Sequence, residues 1–263
     1  MKKRIILVQK ILKDKGLYRM KIDGIAGPGT TEALGKVPGL SESWSLKRKI
    51  VGLIQLHCQD QDIDSGDIDG YWGPQTEHAY EQLLYKMEHG RLPESWRPED
   101  REDKNPLGWP VQYTDEFYDF YGEKGKNLVR LECPYPLRIA WNLNMTIRSF
   151  YCHQKVHDSL AGILQKVLDH YGQEEITKLR LDLWGGCYNE RRIRGGNRWS
   201  MHSWGIAIDF DPSHNKLKWG RDRASFAKPE YDDWWRFWEE EGWVSLGRER
   251  NFDWMHIQAA KLK

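Results

Sequence analysis

Long apolar runs are missing from this sequence, and none approaches the ~20 residues that a membrane-spanning helix requires. The first eight residues begin like a signal peptide, with three basic residues ahead of an apolar run. That run ends after four residues, at Gln9 and Lys10, so it is too short to direct export. We therefore expect a protein that is made in the cytoplasm without a signal peptide and has no membrane partner.

Cysteine is scarce, and the charges of the two signs are balanced. The four cysteines stand far apart without a C-x-x-C spacing, which excludes a structural zinc finger built from them and favours reduced thiols. Forty basic and 39 acidic residues give a formal net charge of +1, so no global basic surface is available for nucleic acid. Any polyanion must be bound locally, and we expect no nucleic-acid partner.

Length and aromatic content set wide limits on the fold. A chain of 263 residues with 39% apolar content suits either one large globular domain or two smaller ones. The 14 tryptophans and 12 tyrosines are suited to filling cores or to stacking on sugars, and composition does not distinguish these uses. We expect two parts and a monomer.

The stretch from Ser200 to Asp211 combines a histidine, a glycine and two carboxylates with an apolar strand. The alternation of residue types predicts a strand. Its apolar face would consist of Ile206, Ile208 and Phe210, and its other face of Ala207, Asp209 and Asp211. An extended chain would separate His202 from Asp209 by about 23 Å. Both residues can bind one metal ion only if the chain folds back, which Gly205 would permit.

A third ligand is expected from the segment 252–256, where His256 is the natural candidate. Two histidines and one carboxylate leave a fourth zinc position open for water, and a second carboxylate is then needed to accept a proton. Asp253 can fill that role. Because residues three apart face the same way on a turn but opposite ways on a strand, we expect a turn or a bulge from Asp253 to His256.

The pattern Ser-x-His-x-x-Gly-x-Ala-x-Asp at 200–209, followed by Asp-Trp-x-His at 253–256, resembles the zinc peptidases that cut peptidoglycan stem peptides. The resemblance covers residues 130–260 and implies that His202, Asp209 and His256 bind zinc and that Asp253 is the general base. The family joins D-alanyl-D-alanine carboxypeptidases with L-alanyl-D-glutamate endopeptidases, many of which are bacteriophage endolysins. The carboxypeptidases usually have glutamate at the base position, so the aspartate favours the endopeptidases.

The resemblance therefore implies a zinc-dependent peptidoglycan hydrolase, and in particular an L-alanyl-D-glutamate endopeptidase that acts as a bacteriophage endolysin. It would reach the cell wall after release by lysis or through a separate pore. A D-alanyl-D-alanine carboxypeptidase is one alternative. A non-catalytic wall-binding or virion protein is another, although the complete set of ligands and base argues against it.

Other residues of the motif region have less specific signals. In the loop 188–198, four arginines lie among glycines, a composition that suits a peptide carboxylate or an oxyanion. The resemblance assigns substrate binding and transition-state stabilisation to Arg191, with Arg192 as the substitute; a solvated basic loop is the alternative. We place Ser200 and Trp254 at the substrate, and Asp211 behind a metal ligand or an arginine. Four further histidines of the segment 113–263 are expected to be surface or helix-packing residues and not ligands: His153, His157, His170 and His214.

An internal repeat precedes this region. The pattern Asp-Gly-x-x-Gly-Pro-x-Thr occurs twice, beginning at Asp23 and at Asp69. A glutamine stands 14 residues before each of these aspartates, Gln9 in the first copy and Gln55 in the second. The pattern resembles small helical peptidoglycan-binding domains of wall hydrolases, although Asp23 and Asp69 themselves are expected only to make turns. Binding would use exposed aromatic residues such as Tyr18, Tyr71 or Trp72.

The sequence thus predicts an α+β protein in three parts. Residues 1–87 form a small all-helical peptidoglycan-binding module with two repeats, and the charged, proline-bearing segment 88–112 is a linker or, alternatively, a covering arm. Residues 113–263 form a zinc peptidase domain with an antiparallel sheet and a catalytic core at about 131–260. Within it we predict helices at 157–171 and 231–242, the latter with core tryptophans, and a strand that starts at Leu179 and ends at Gly185-Gly186.

Overall fold

The computed structural model describes residues 1–93 and 104–262, which fall into two units. Residues 1–93 with 193–198 form the first unit, and residues 104–192 with 199–262 form the second. No helix in these described ranges is long and apolar enough to cross a membrane.

Four helices build the first unit: Lys2–Asp14 (α1), Pro28–Gly35 (α2), Leu46–Asp60 (α3) and Pro74–His89 (α4). Pro28 and Pro74 stand at the start of their helices, where the missing N–H breaks no intrahelical hydrogen bond. The apolar faces of the helices meet in one core, which includes Leu12, Leu34 and Leu53.

A buried glutamine connects the elements of each half of this unit. In the first half, Gln9 Nε2 donates to Asp23 Oδ1, to the Ile25 carbonyl and to Thr30 Oγ1. In the second half, Gln55 Nε2 donates to Asp69 Oδ1, to the Tyr71 carbonyl and to Thr76 Oγ1. The hydrogen bonds span 14, 16 and 21 residues in both halves. Each glutamine thereby ties its first helix to the turn and to the helix that follows.

The three aromatic residues expected on a binding surface differ in their exposure. The side chain of Tyr71 is 41% exposed. Trp72 is partly buried, with the Arg4 guanidinium 3.3 Å from a ring centroid. Tyr18 is buried, and its hydroxyl accepts a hydrogen bond from Gln9 and donates one to the Lys21 carbonyl. The expectation that Tyr18 is exposed was therefore wrong, since its polar end belongs to the glutamine network.

The second unit is a six-stranded sheet with helices. Its elements are Asp115–Tyr121 (α5), Leu128–Ile139 (β1), Asn142–His153 (β2), His157–Lys178 (α6), Leu183–Gly186 (β3), Ala207–Phe210 (β4), Asp232–Glu240 (α7), Val244–Ser245 (β5), Leu246–Arg250 (α8) and His256–Gln258 (β6). The strand order is β2-β1-β3-β4-β6-β5. The predicted α+β class is confirmed.

The sheet is mixed, so the prediction of an antiparallel sheet was wrong for one pair of strands. Strands β1 and β3 run parallel, whereas the other neighbouring pairs are antiparallel. The connection that leads to β3 contains α6, and a helical crossover leaves the strand direction free where a tight hairpin would reverse it.

Two element boundaries near α6 differ from the prediction. Gly172, directly after the predicted helix end at 171, interrupts the helix with φ 66°, but the helix resumes and continues to Lys178. Arg180 has a left-handed φ of 63°, and the strand begins only at Leu183. The predicted end of the strand at Gly185-Gly186 is confirmed, but its predicted start at Leu179 was wrong, because residues 179–182 form the turn after α6.

Tryptophans form much of the core of this unit. Trp234, Trp235 and Trp238 on α7 are fully buried, and Trp234 packs edge-on against Phe210 of β4 at 5.0 Å between ring centroids. The prediction that these tryptophans belong to the core is confirmed. Strand β4 is thereby fixed from one face, which leaves its other face for polar chemistry.

The segment predicted as a linker, 88–112, has several parts. Residues 88–89 end α4, and residues 94–103 lie outside the described residues. Trp109 is 3% exposed and donates from Nε1 to the Glu241 carbonyl. Residues 109–112 therefore pack on the second unit as an arm, as the alternative interpretation allowed.

Candidate metal centre

A tight reversal brings the first histidine back toward β4. Residues Met201–Trp204 form one 3-10 turn, and Gly205 follows with a left-handed φ of 68°. A Cβ atom at Gly205 would lie 2.9 Å from Leu128 Cδ2 and 3.0 Å from the His153 nitrogen. Only glycine satisfies both the backbone conformation and the close packing, so the reversal expected at this residue is confirmed.

The side chains of His202, Asp209 and His256 converge on one point. His202 Nε2 lies 3.2 Å from both Asp209 Oδ1 and His256 Nδ1, and the latter two atoms are 3.0 Å apart. Asp209 and His256 are direct partners in the β4–β6 pairing, so their side chains share one face of the sheet. Within the described residues, this is the one group of three or more such side chains that could hold a metal ion.

In each imidazole, the nitrogen that points away from Asp209 has a hydrogen-bond acceptor as its partner, and this acceptor determines which nitrogen carries the proton. His202 Nδ1 lies 2.7 Å from the Cys187 carbonyl oxygen, to which it can only donate. Likewise, His256 Nε2 donates to Gln258 Oε1 at 3.2 Å, since the Gln258 amide nitrogen donates to the Ala260 carbonyl. His202 Nε2 and His256 Nδ1 thus present lone pairs toward Asp209, and three acceptors face one another with no proton among them.

This donor set fits a zinc ion. Nitrogen and oxygen ligands about 2.0–2.2 Å from a tetrahedral ion lie roughly 3.3 Å from one another, close to the separations of 3.0–3.2 Å between these atoms. Burial raises the pKa of Asp209, whereas positive charge at His202 and His256 lowers it; with both imidazoles neutral, a bound cation would supply that positive charge. The carboxylate would then be ionised, and three protein ligands leave a fourth position for water.

Asp253 lies at the start of the turn that leads to His256. The His256 N–H donates to the Asp253 carbonyl at 3.0 Å, and the Asp253 N–H donates to the Leu217 carbonyl at 3.1 Å. The expected turn between the two residues is confirmed. Asp253 is 8% exposed and has φ 55°, a left-handed conformation that is uncommon for residues other than glycine.

The backbone of Arg191 is attached to the turn that contains His202. The buried hydroxyl of Ser203 accepts from the Arg191 N–H at 3.1 Å and donates to the Arg191 carbonyl at 2.9 Å. Arg191 is half-buried, whereas Arg192 is exposed and stacks on Trp199 with its guanidinium 4.5 Å from the ring centroid. Of the two arginines, Arg191 is thus the one whose main chain is fixed next to a candidate ligand.

Ser200, Trp254 and Asp211 support the loops from within. The Ser200 carbonyl accepts from the Ser203 N–H at 2.8 Å. Trp254 is 1% exposed and packs on Gly247, so it offers almost no surface to a substrate, contrary to the expectation. Asp211 departs from the strand with φ 39° and forms a bidentate ion pair with Arg180, which fits the expected role behind an arginine.

The four histidines that were expected not to be ligands lie outside the three-residue group. His153 is buried and bonded to the Tyr121 carbonyl, and the remaining three pair with acidic side chains: His157 with Asp158, His170 with Asp233, and His214 with Asp211. Sequence reasoning missed Cys187, Ser203 and Gln258. Ser203, which directly follows the first histidine, and Gln258, which stands two residues after His256 on β6, had a local signal in their spacing.

Residues 194–259 match the family model described as D-alanyl-D-alanine carboxypeptidase. The matched segment is about a quarter of the chain and contains His202, Asp209, Asp253 and His256. This match supports a metallopeptidase related to that family. No curated protein and no solved structure matches the chain significantly.

Proposed function

We propose that the chain is a zinc-dependent peptidoglycan hydrolase that cleaves an amide bond of a stem peptide. The observation that carries the proposal is the convergence of three proton-free acceptors, within a segment that matches a peptidase family. His202, Asp209 and His256 would hold the ion. A bound zinc ion lowers the pKa of a coordinated water to about 7 and polarises the carbonyl that is attacked.

The protein residues then have separate roles. Asp253 accepts the proton of the attacking water and returns it to the leaving amine, so that the carboxylate ends the cycle ionised. Its position, one tight turn before His256, supports this role. Arg191 binds a substrate carboxylate or the oxygen of the scissile carbonyl, and Arg192 provides further positive charge at the same loop.

The bond that is cut distinguishes two candidate activities. An aspartate at the base position favours an L-alanyl-D-glutamate endopeptidase, which we propose acts as a bacteriophage endolysin. The description of the matching family favours a D-alanyl-D-alanine carboxypeptidase. The metal centre suits either reaction, because both are hydrolyses of an amide by an activated water.

The first unit would attach the enzyme to its substrate. We propose two repeats in residues 1–87, a connection at 88–112 and a peptidase domain at 113–263 with its core at about 131–260. The matching glutamine networks and the exposed Tyr71 support the repeats and a binding surface. We propose a monomer that acts on the wall after release from the cytoplasm.

Mass spectrometry of muropeptides tests the proposal. Purified peptidoglycan is digested with the protein, with the protein plus a chelator, and with the chelated protein after zinc is restored. New amino groups on D-glutamate that appear only in the zinc-containing samples support the endopeptidase. Loss of only a terminal D-alanine identifies a carboxypeptidase, and unchanged muropeptides would leave a non-catalytic wall-binding protein.

A further inference from the structure

We infer that two glutamines, Gln258 and Gln112, position the ligand His256, so that an arm outside the matched segment completes the metal centre. The inference rests on the proposed role of His256 as a zinc ligand. It assigns Gln112 and Gln258 as positioning residues that act on the metal only through His256.

Gln258 is buried, and each of its side-chain polar atoms is engaged. Its Oε1 accepts from His256 Nε2 at 3.2 Å, while its Nε2 donates to the Ala260 carbonyl at 2.8 Å and to Gln112 Oε1 at 3.0 Å. Rotating the amide by half a turn would point its NH₂ at the imidazole N–H and its oxygen at the Ala260 carbonyl. Both contacts would become repulsive, so the amide is held in one orientation.

That orientation determines the state of the imidazole. With the His256 proton held on Nε2, the lone pair of Nδ1 points at Asp209 Oδ1, 3.0 Å away. The neutral amide oxygen of Gln258 does for His256 what the Cys187 carbonyl does for His202. Partners of this kind fix the tautomer and the ring plane of metal-binding histidines.

The arm 109–112 fixes Gln112. The Gln112 N–H donates to the Lys261 carbonyl at 2.9 Å, and the Lys261 N–H donates to the Pro110 carbonyl at 2.9 Å. Trp109 anchors the start of the arm through the Glu241 carbonyl. The arm thus pairs with the chain at Lys261, just after β6, and the Gln112 side chain contacts Gln258 there.

The inference extends the site beyond the matched residues 194–259, which include Gln258 but not Gln112. A substitution in the arm should then be felt at the metal. A purely structural arm would instead lower the stability of the protein and leave the affinity of the folded site for zinc unchanged.

Zinc affinity of the full chain, measured by competition with a chromophoric chelator, tests the relay. The variants are Gln258→Met and Gln112→Met, and the matched control is Gln165→Met, which removes an exposed amide that donates to Asp169. We expect a loss of affinity of about 10-fold to 100-fold for Gln258→Met. A smaller loss is expected for Gln112→Met, and none for the control.

Circular dichroism and urea unfolding of the metal-free proteins accompany the affinities. If both variants are folded and bind zinc within twofold of the wild type, the relay is overturned while the proposed function stands. If Gln258→Met does not fold, Gln112→Met decides, because it keeps the bond from His256 to Gln258. A wild-type protein that binds no zinc would overturn both the relay and the proposed function.

Discussion

Asp253 has a backbone conformation that its side chain must tolerate. A left-handed φ costs most residues about 1–2 kcal/mol, whereas asparagine and aspartate adopt it more readily. At Asp253 the conformation is held by hydrogen bonds on both sides of the residue, from its N–H to Leu217 and from His256 to its carbonyl. Such strain is often found where a side chain must be aimed at a reaction.

For this reason, asparagine is the sharper substitution at this position. Asp253→Asn should keep the fold and the bound zinc, but slow hydrolysis by about 10² to 10⁴, because an amide cannot accept the proton of water. Asp253→Ala should lose the same activity and, in addition, about 1 kcal/mol of unfolding free energy. Muropeptide turnover, zinc content and urea unfolding measure the three effects. An asparagine variant with wild-type turnover would remove Asp253 from the mechanism.

A second residue-level prediction concerns His153, which is buried next to the reversal at Gly205. Burial is the main cause that lowers its pKa; the Tyr121 carbonyl acts in the opposite sense, and Lys155 lowers it further. Because the unfolded chain takes up this proton first, the free energy of unfolding should fall as the pH drops below about 6.5. His153→Gln, whose amide can still donate to Tyr121, should lose part of that dependence.

Urea unfolding of the metal-free proteins at pH 7.5 and at pH 5.5 measures the difference. Other titrating groups contribute equally to both proteins, so the difference between the two slopes with pH reports on His153. Equal slopes would show that His153 does not titrate differently in the folded and unfolded states.

At the scale of elements, the metal centre depends on how closely β3 and β4 approach each other. A Cβ atom on Gly185 would lie 3.0 Å from both the Cβ atom and the carbonyl oxygen of Asp209. Because Gly185 has no side chain, Asp209 of β4 can lie this close to β3. That position places the Asp209 carboxylate opposite His256 of β6.

Gly185→Ala should therefore displace Asp209 and weaken zinc binding by about 10-fold or more, the scale seen when the surroundings of metal ligands are disturbed. Gly162→Ala is the matched control, since it lies in α6 with open space around the new methyl group. The control should stabilise the protein by about 0.5–1 kcal/mol and leave zinc affinity unchanged. Equal zinc affinities for the two variants would contradict the proposed role of Gly185.

The same scale shows how far sequence reasoning reached. The strand at 207–210, the reversal at Gly205 and the turn before His256 were predictable because each follows from local spacing and from glycine. Cys187 could not be predicted as the partner of His202, because the fold brings it there across 15 residues. Gln258 is two residues from His256 on β6, so the spacing places both on one face, but the spacing alone does not reveal the hydrogen bond. The leucines at 179–183 misled because Leu179 and Leu181 reach the core from a turn, and not from a strand.

At the scale of the whole molecule, the two apolar cores share no residues. One is built from residues between Ile5 and Leu83, and the other from residues between Trp109 and Ala260. Each half of the chain thus buries its own apolar side chains, which is the condition for folding as a domain.

Fragments 1–93 and 104–263 should consequently fold separately. We expect fragment 104–263 to bind zinc and to cleave soluble muropeptides at a rate within a few-fold of the full chain. On intact sacculi it should be slower than the full chain, because it lacks the wall-binding unit. Co-sedimentation with sacculi should show that fragment 1–93 binds the wall. Co-sedimentation of 104–263 alone at the level of the full chain would contradict a targeting role for the first unit.

Because Asp209 and His256 pair directly, the distance between these two ligands does not depend on the length of the chain between them. Both ligands are held by the ladder of β4 and β6, while the connection from 211 to 255 contains a loop, α7, β5 and α8. Insertions in the loop between Pro212 and Ala224 would leave the distances among the ligands unchanged, but they could move Leu217, whose carbonyl accepts from the Asp253 N–H. Changes in this loop that keep Leu217 in place are accordingly the ones that carry the lowest risk to the proposed chemistry.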